Sequence, residues 1–80
     1  MLSLDKTTEN VPYTVKDIAL DSAIKEKLMR LGLMEGTCIR RVLTAPSGDP
    51  SAYLIRGARI AIRNAHAKQI SVTEVRGRDE

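Results

Sequence analysis

The sequence predicts a mainly β fold: a small antiparallel barrel of about five strands, with one short α-helix after the first strand. Three observations carry this. Short runs with β-branched residues recur, each bounded by Gly, Pro, Asn or Asp. A single segment has sustained helical periodicity. No other stretch is long enough for the helical crossover that parallel strands need. A closed or half-closed barrel is then the economical way to remove sheet edges.

The elements run in order along the chain. Residues 1–10, "MLSLDKTTEN", are polar and unpatterned and predict a flexible or loosely docked arm, with Leu2 and Leu4 able to touch the body. "YTVKDIAL" is strand-like through Thr14, Val15 and Ile18, and Pro12 suits the position just before a strand. "DSAIKEKLMRLG" predicts the helix. Asp21 or Ser22 can cap its first amides, and Ile24, Leu28 and Leu31 fall at i, i+4 and i+7. Gly32 stands where a left-handed residue ends a helix, with Leu33 packing back as in a Schellman motif. "MEGT" reads as a type II turn with Gly36 at its third position.

"TCIRRVLTA" is the next strand. Its apolar residues occupy both parities, Cys38 and Val42 on one and Ile39 and Leu43 on the other, as a bulged or strongly curved strand would allow. "APSGDP" is a stiff loop, in which Asp49 can bond to nearby amides. "SAYLIRG" and "ARIAIRN" then form a hairpin around Gly57, with Ala58, Ile60 and Ile62 on one face. "NAHAKQ" predicts one helical turn capped by Asn64, and "ISVTEV" the last strand. The domain spans residues 11–76, and a polar tail occupies 77–80.

An 80-residue chain is one domain with a modest core, here aliphatic, since it holds no Phe or Trp and only Tyr13 and Tyr53. The lone Cys38 forbids an internal disulfide and fits a reducing compartment. No run approaches the roughly 18 apolar residues of a membrane span, and the N-terminus lacks a signal-peptide core. These features predict a cytoplasmic protein that inserts in no membrane and reaches one only through a partner.

Chemistry is sparse. The loop after Ala45 has glycine and proline but is no phosphate cradle. Gly48 is followed by Asp49, which repels phosphate, and by Pro50, which has no amide to donate. Cys38 and His66 are weak metal candidates without CxxC, HxH or HExxH spacing; Cys38 reads better as a small buried hydrophobe and His66 as a solvated surface residue. No cofactor is expected beyond weak iron(II) or zinc binding, intrinsic or shared between two chains. One histidine and one cysteine on different elements give no nucleophile and base pair, so no enzyme is predicted.

The net charge of +3, with Arg40, Arg41, Arg56, Arg59 and Arg63 on β elements, admits an acidic protein or a nucleic acid as partner. The shortage of aromatic stacking platforms favours protein. A basic barrel binding nucleic acid remains the alternative.

Taken together, Leu31-Gly32-Leu33, Gly36-Thr37, Ala45-Pro46, Gly48-Asp49-Pro50, Gly57, Ile60, Ile62-Arg63, Ala67, Ile70 and Val72 resemble the ferrous iron transport protein A (FeoA) family over about residues 21–75. Two departures stand out: Glu35 precedes Gly36 where the family usually has proline, and "ENVPYTV" replaces a glycine turn before the first strand.

The resemblance implies an SH3-like barrel. It also implies a non-enzymatic accessory role in ferrous iron uptake, docking on the cytoplasmic GTP-binding region of a membrane iron(II) permease (FeoB-like) and modulating it. The expected docking surface is the helix and following turn (Leu28, Leu31, Leu33, Met34) with Arg40 and Arg41; weak self-association is also allowed. Gly32, Gly36, Gly48, Asp49, Pro50 and Gly57 are expected to shape turns.

Overall fold

The computed structural model describes residues 1–75. The polar tail expected over 77–80 lies outside them. One antiparallel sheet of six strands forms, rather than five, in the order β1-β6-β2-β3-β4-β5. The strands are β1 (Leu2–Ser3), β2 (Tyr13–Ile18), β3 (Cys38–Thr44), β4 (Ser51–Ile55), β5 (Ala58–Ile62) and β6 (Ile70–Glu74). Helix α1 (Ser22–Arg30) joins β2 to β3, and the single turn α2 (Asn64–Ala67) joins β5 to β6.

Two bulges bend the sheet. In β2, Tyr13 and Val15 face the core at period two, and a register shift between Val15 and Asp17 turns Ile18 inward three residues later. In β3 the shift falls between Arg41 and Leu43. It resolves the double parity of "CIRRVLT". Ile39 and Arg41 face inward, then Leu43 turns out, 54% exposed, and Thr44 turns in opposite buried Ser51. The aliphatic core that results holds Val15, Leu33, Ile39, Ile55, Ile62, Ile70 and Val72 around Tyr53.

The N-terminal segment is docked rather than free, more tightly than a loose arm. Leu2 and Ser3 pair with Val72 and Ser71 of β6. Leu4 starts a 3₁₀ turn, Leu4–Lys6, and is 1% exposed, packed beside α2 and β6. Three bonds fasten the chain from Thr7 to Asn10. Thr8 donates its amide to the Tyr13 hydroxyl at 3.0 Å, Asn10 donates to the Arg41 carbonyl at 2.7 Å, and the Arg41 guanidinium donates to the Thr7 carbonyl. The physical reason is area: in a chain this small, one more buried leucine is worth a substantial share of the net stability.

The turns form at the expected glycines. Asp21 caps α1, accepting from the Ile24 amide at 3.2 Å. At the other end Gly32, with φ of +109°, donates to the Met29 carbonyl, and Leu33 donates to the Leu28 carbonyl at 3.0 Å. That bond pair is the Schellman motif. Thr37 donates to the Met34 carbonyl across Gly36, closing the type II turn. In the β4–β5 hairpin both Arg56 and Gly57 have positive φ, 51° and 83°, as a two-residue type I′ turn demands.

Asn64 corrects an expectation. It is not the cap of α2 but its first residue, and the cap is borrowed: Asp49 accepts from the Asn64 amide at 2.8 Å. The Asn64 side chain returns a bond to the Gly48 carbonyl at 3.0 Å, so the 45–50 loop is pinned to α2.

Candidate docking surface

The expected docking residues divide into two sets. Leu33 is fully buried, out of reach of a partner, while Leu28 is nearly buried and shows only an edge in the wall of a groove. Leu31 and Met29 are 46% and 43% exposed, and Met34 is half-buried. The Schellman reversal explains the split. It ends the helix at Arg30 and swings Leu33 into the core slot, which leaves Leu31 on the surface.

Two shallow grooves flank α1. One, of about 270 Å³, lies between the helix and the turn after it, lined by Ile18, Lys25, Met29, Met34 and Glu35. The other, of about 200 Å³, lies between α1 and the end of β5, where Ile24, Leu28 and Leu31 face Ala61 and Ile62. Lys27, Arg63 and His66 also line this second groove, which contains no carboxylate.

The two arginines of β3 part company. Arg40 lies on the opposite side of the strand beside Leu54, which in turn pairs with Arg59 of β5; it is half-buried, and its Nε has no hydrogen-bond partner among the described residues. Arg41 points inward. It binds the Thr7 carbonyl and the Thr44 hydroxyl, the latter at 2.8 Å, and so serves the fold. Tyr53 lies opposite it in the ladder, completely buried, with no hydrogen-bond partner for its hydroxyl among the described residues. Burial pushes the phenol above its ordinary pKa of 10.0. The Arg41 charge and the neighbouring Ser51 hydroxyl pull it down, and burial outweighs them.

Cys38 is exposed, against the expectation of a buried residue, because Ile39 takes the inward position. Its cross-strand neighbour is Thr14, while His66 sits on α2 in the second groove. No cluster of three or more His, Cys, Asp or Glu side chains suited to a metal ion exists among the described residues. The described residues alone do not supply a closed zinc or iron site of the usual donor set. No helix in the described residues is long and apolar enough to cross a membrane.

A six-stranded, twice-bulged antiparallel sheet with a short helix between its second and third strands defines an SH3-like barrel. The chain belongs to the FeoA family: the FeoA domain profile matches residues 2–74, nearly the whole of it.

Among solved structures, iron(II) transport protein A from Clostridium thermocellum superposes with a TM-score of 0.88 at 31% identity, covering 92% of this chain and 46% of that one. FeoA from Chlorobium tepidum gives 0.90 at 27% identity, covering 98% and 74%. FeoA from Stenotrophomonas maltophilia, solved as a zinc complex and described as a prokaryotic SH3-domain protein proposed to activate ferrous iron transport, gives 0.77 at 25%, covering 90% and 89%. The chain thus spans less than half of the first of these proteins and about three quarters of the second. No curated protein sequence matches it.

Proposed function

We propose that this protein is a non-enzymatic accessory factor of ferrous iron uptake that docks on the cytoplasmic GTP-binding region of a membrane iron(II) permease and modulates it. It would then work in the cytoplasm at the inner face of the membrane, held there by its partner. Membership of the FeoA family supports the process. The observation that carries docking is the apolar surface left outside the core on α1 and its following turn, chiefly Leu31, Met29 and Met34, with Lys27 and Arg63 lining the groove beside Leu31. Apolar groups beside fixed cations suit a protein partner with a complementary acidic surface.

The test is to mix the purified protein with the permease's cytoplasmic region, with and without guanine nucleotide. Leu31→Asp is expected to keep the fold and weaken binding at least about tenfold, as loss of a central apolar anchor does. Undiminished binding by that variant would clear this surface, and absent binding by the unaltered protein would remove the docking claim. Leu33→Asp cannot serve, because it places a charge in the core. Weak iron(II) or zinc binding at Cys38 or His66 belongs to the same reading, supported by the zinc complex of the Stenotrophomonas maltophilia relative. Calorimetry on a Cys38→Ser, His66→Ala double variant decides it, and an unchanged affinity would end that claim.

A further inference from the structure

We infer that the free edge of β5, together with the groove beside it, accepts an extended peptide segment of a partner protein in which acidic and apolar residues alternate. The inference names the surface and partner chemistry for the docking reading above, and rests on that reading only for the identity of the partner.

Strand β5 ends the sheet order and pairs with β4 alone. The two-residue hairpin sets which of its backbone groups are spare. Ile55 and Ala58 flank the turn as a hydrogen-bonded pair, so Ile60 and Ile62 also bond to β4. The amides and carbonyls of Arg59 and Ala61 therefore point away from the sheet. No other segment of the described residues bonds to them. An open edge of this kind is a template for one more strand.

The side chains then select the occupant. Arg59, Ala61 and Arg63 share the outer parity and are exposed, while Ile60 and Ile62 are buried on the inner parity. A strand laid against β5 sends alternate side chains to these two faces. On the outer face its residues meet Arg59, with Arg63 at the rim of the groove, which favours carboxylates. On the other face they enter the groove walled by Ile24, Leu28 and Leu31, which favours aliphatic groups. Lys27, Arg63 and His66 border that groove, and no carboxylate lines it. A second copy of this chain fits less well, because antiparallel pairing of two β5 edges gathers Arg59 and Arg63 of both chains along one seam.

The experiment is an amide NMR titration of the whole protein with three blocked pentapeptides: Glu-Val-Glu-Val-Glu, its Lys-Val-Lys-Val-Lys counterpart, and the acidic peptide N-methylated on alternate residues. Shifts confined to residues 59–63 and to α1, from the unmodified acidic peptide alone, are expected. Arg59→Glu should weaken that binding on the order of tenfold at low salt, since it replaces attraction by repulsion across the pair. Ala61→Pro should weaken it comparably while leaving the fold, because its ring replaces an N–H that the sheet does not use.

Equal binding of the lysine or N-methylated peptide would overturn the inference. So would shifts centred elsewhere, or sedimentation showing that the free protein dimerises through this edge. If the permease region binds but ignores Arg59→Glu and Ala61→Pro, the docking reading stands and the edge-strand inference falls. If the acidic peptide binds at β5 while the permease region does not, the reverse holds.

Discussion

Replacing Leu4 by alanine tests whether the N-terminal segment belongs to the cooperative core. Leu4 is 1% exposed, so truncation removes a fully buried side chain and leaves a cavity. Such changes cost about 2–5 kcal/mol where the surroundings cannot collapse. A chain of 80 residues has a total stability of roughly 4–12 kcal/mol at about 0.05–0.15 kcal/mol per residue.

A loss near 3 kcal/mol would therefore remove a quarter or more of it, and at about 1 kcal/mol/M would move the urea midpoint by about 3 M. There is a competing outcome. The segment is anchored by a two-residue strand and can undock locally, which limits the loss to its docking free energy. Three ties beyond Leu4 oppose that release: the Thr8, Asn10 and Arg41 bonds. Circular dichroism through a urea series measures the outcome, with half-exposed Leu2→Ala as the control, expected to cost much less. A Leu4→Ala loss below about 1 kcal/mol, no greater than that of Leu2→Ala, would refute the reasoning and return residues 1–10 to the status of an arm.

Three further outcomes are expected. Gly32→Ala should destabilise by about 1–2 kcal/mol or more, since a Cβ is strained at φ of +109° and would also meet the Arg56 Cδ at 3.3 Å; thermal unfolding reads it. Asp49→Ala should cost about 1 kcal/mol through loss of the borrowed cap of α2, seen as faster hydrogen exchange at the Asn64 amide. Tyr53 gives a pH dependence. Its folded pKa is raised, so above pH 10 the unfolded chain loses this proton more readily than the folded one, and stability falls as pH climbs from 10.0 toward the folded value. The slope approaches about 1.4 kcal/mol per pH unit for one proton, and Tyr53→Phe should abolish that share of the decline in urea titrations at alkaline pH.

Local chemistry makes much of this fold legible. Asp21, Gly32 and Gly36 act within a few residues of themselves, so cap, Schellman turn and type II turn are readable from spacing alone. The parts that are not legible are the ones closed at long range. A two-residue strand has no periodicity to detect, and Leu4 is an isolated leucine in a polar stretch until β6 and α2 come to meet it.

"RR" at 40–41 carries no local sign of which arginine turns in. The bulge after Arg41 and the partner strand's Tyr53 set that, and the same bulge ejects Leu43. Spacing suggests that Asp49 bonds nearby amides, yet its carboxylate serves a helix 15 residues on. The sequence groups Leu28 and Leu33 with Leu31 on one docking face because a helical stripe does not show how much of it the core consumes.

That consumption has a functional consequence. The core takes Leu28 from the helix and Leu33 from beyond its end, two side chains that Gly32 brings together by reversing the chain between them. Leu31 is the residue the reversal displaces, and it is displaced toward Ala61 at the open side of β5 rather than into empty solvent. The turn that completes the core thus also sets an exposed leucine beside an unpaired strand edge. A change that extended α1 through Gly32 would rotate both leucines away from these places, costing stability and docking together. Leu31→Asp and Arg59→Glu act only on the outer side and are expected to separate the two. If either exposed substitution lowered the unfolding midpoint as much as Gly32→Ala, the division between an inner and an outer leucine would fail.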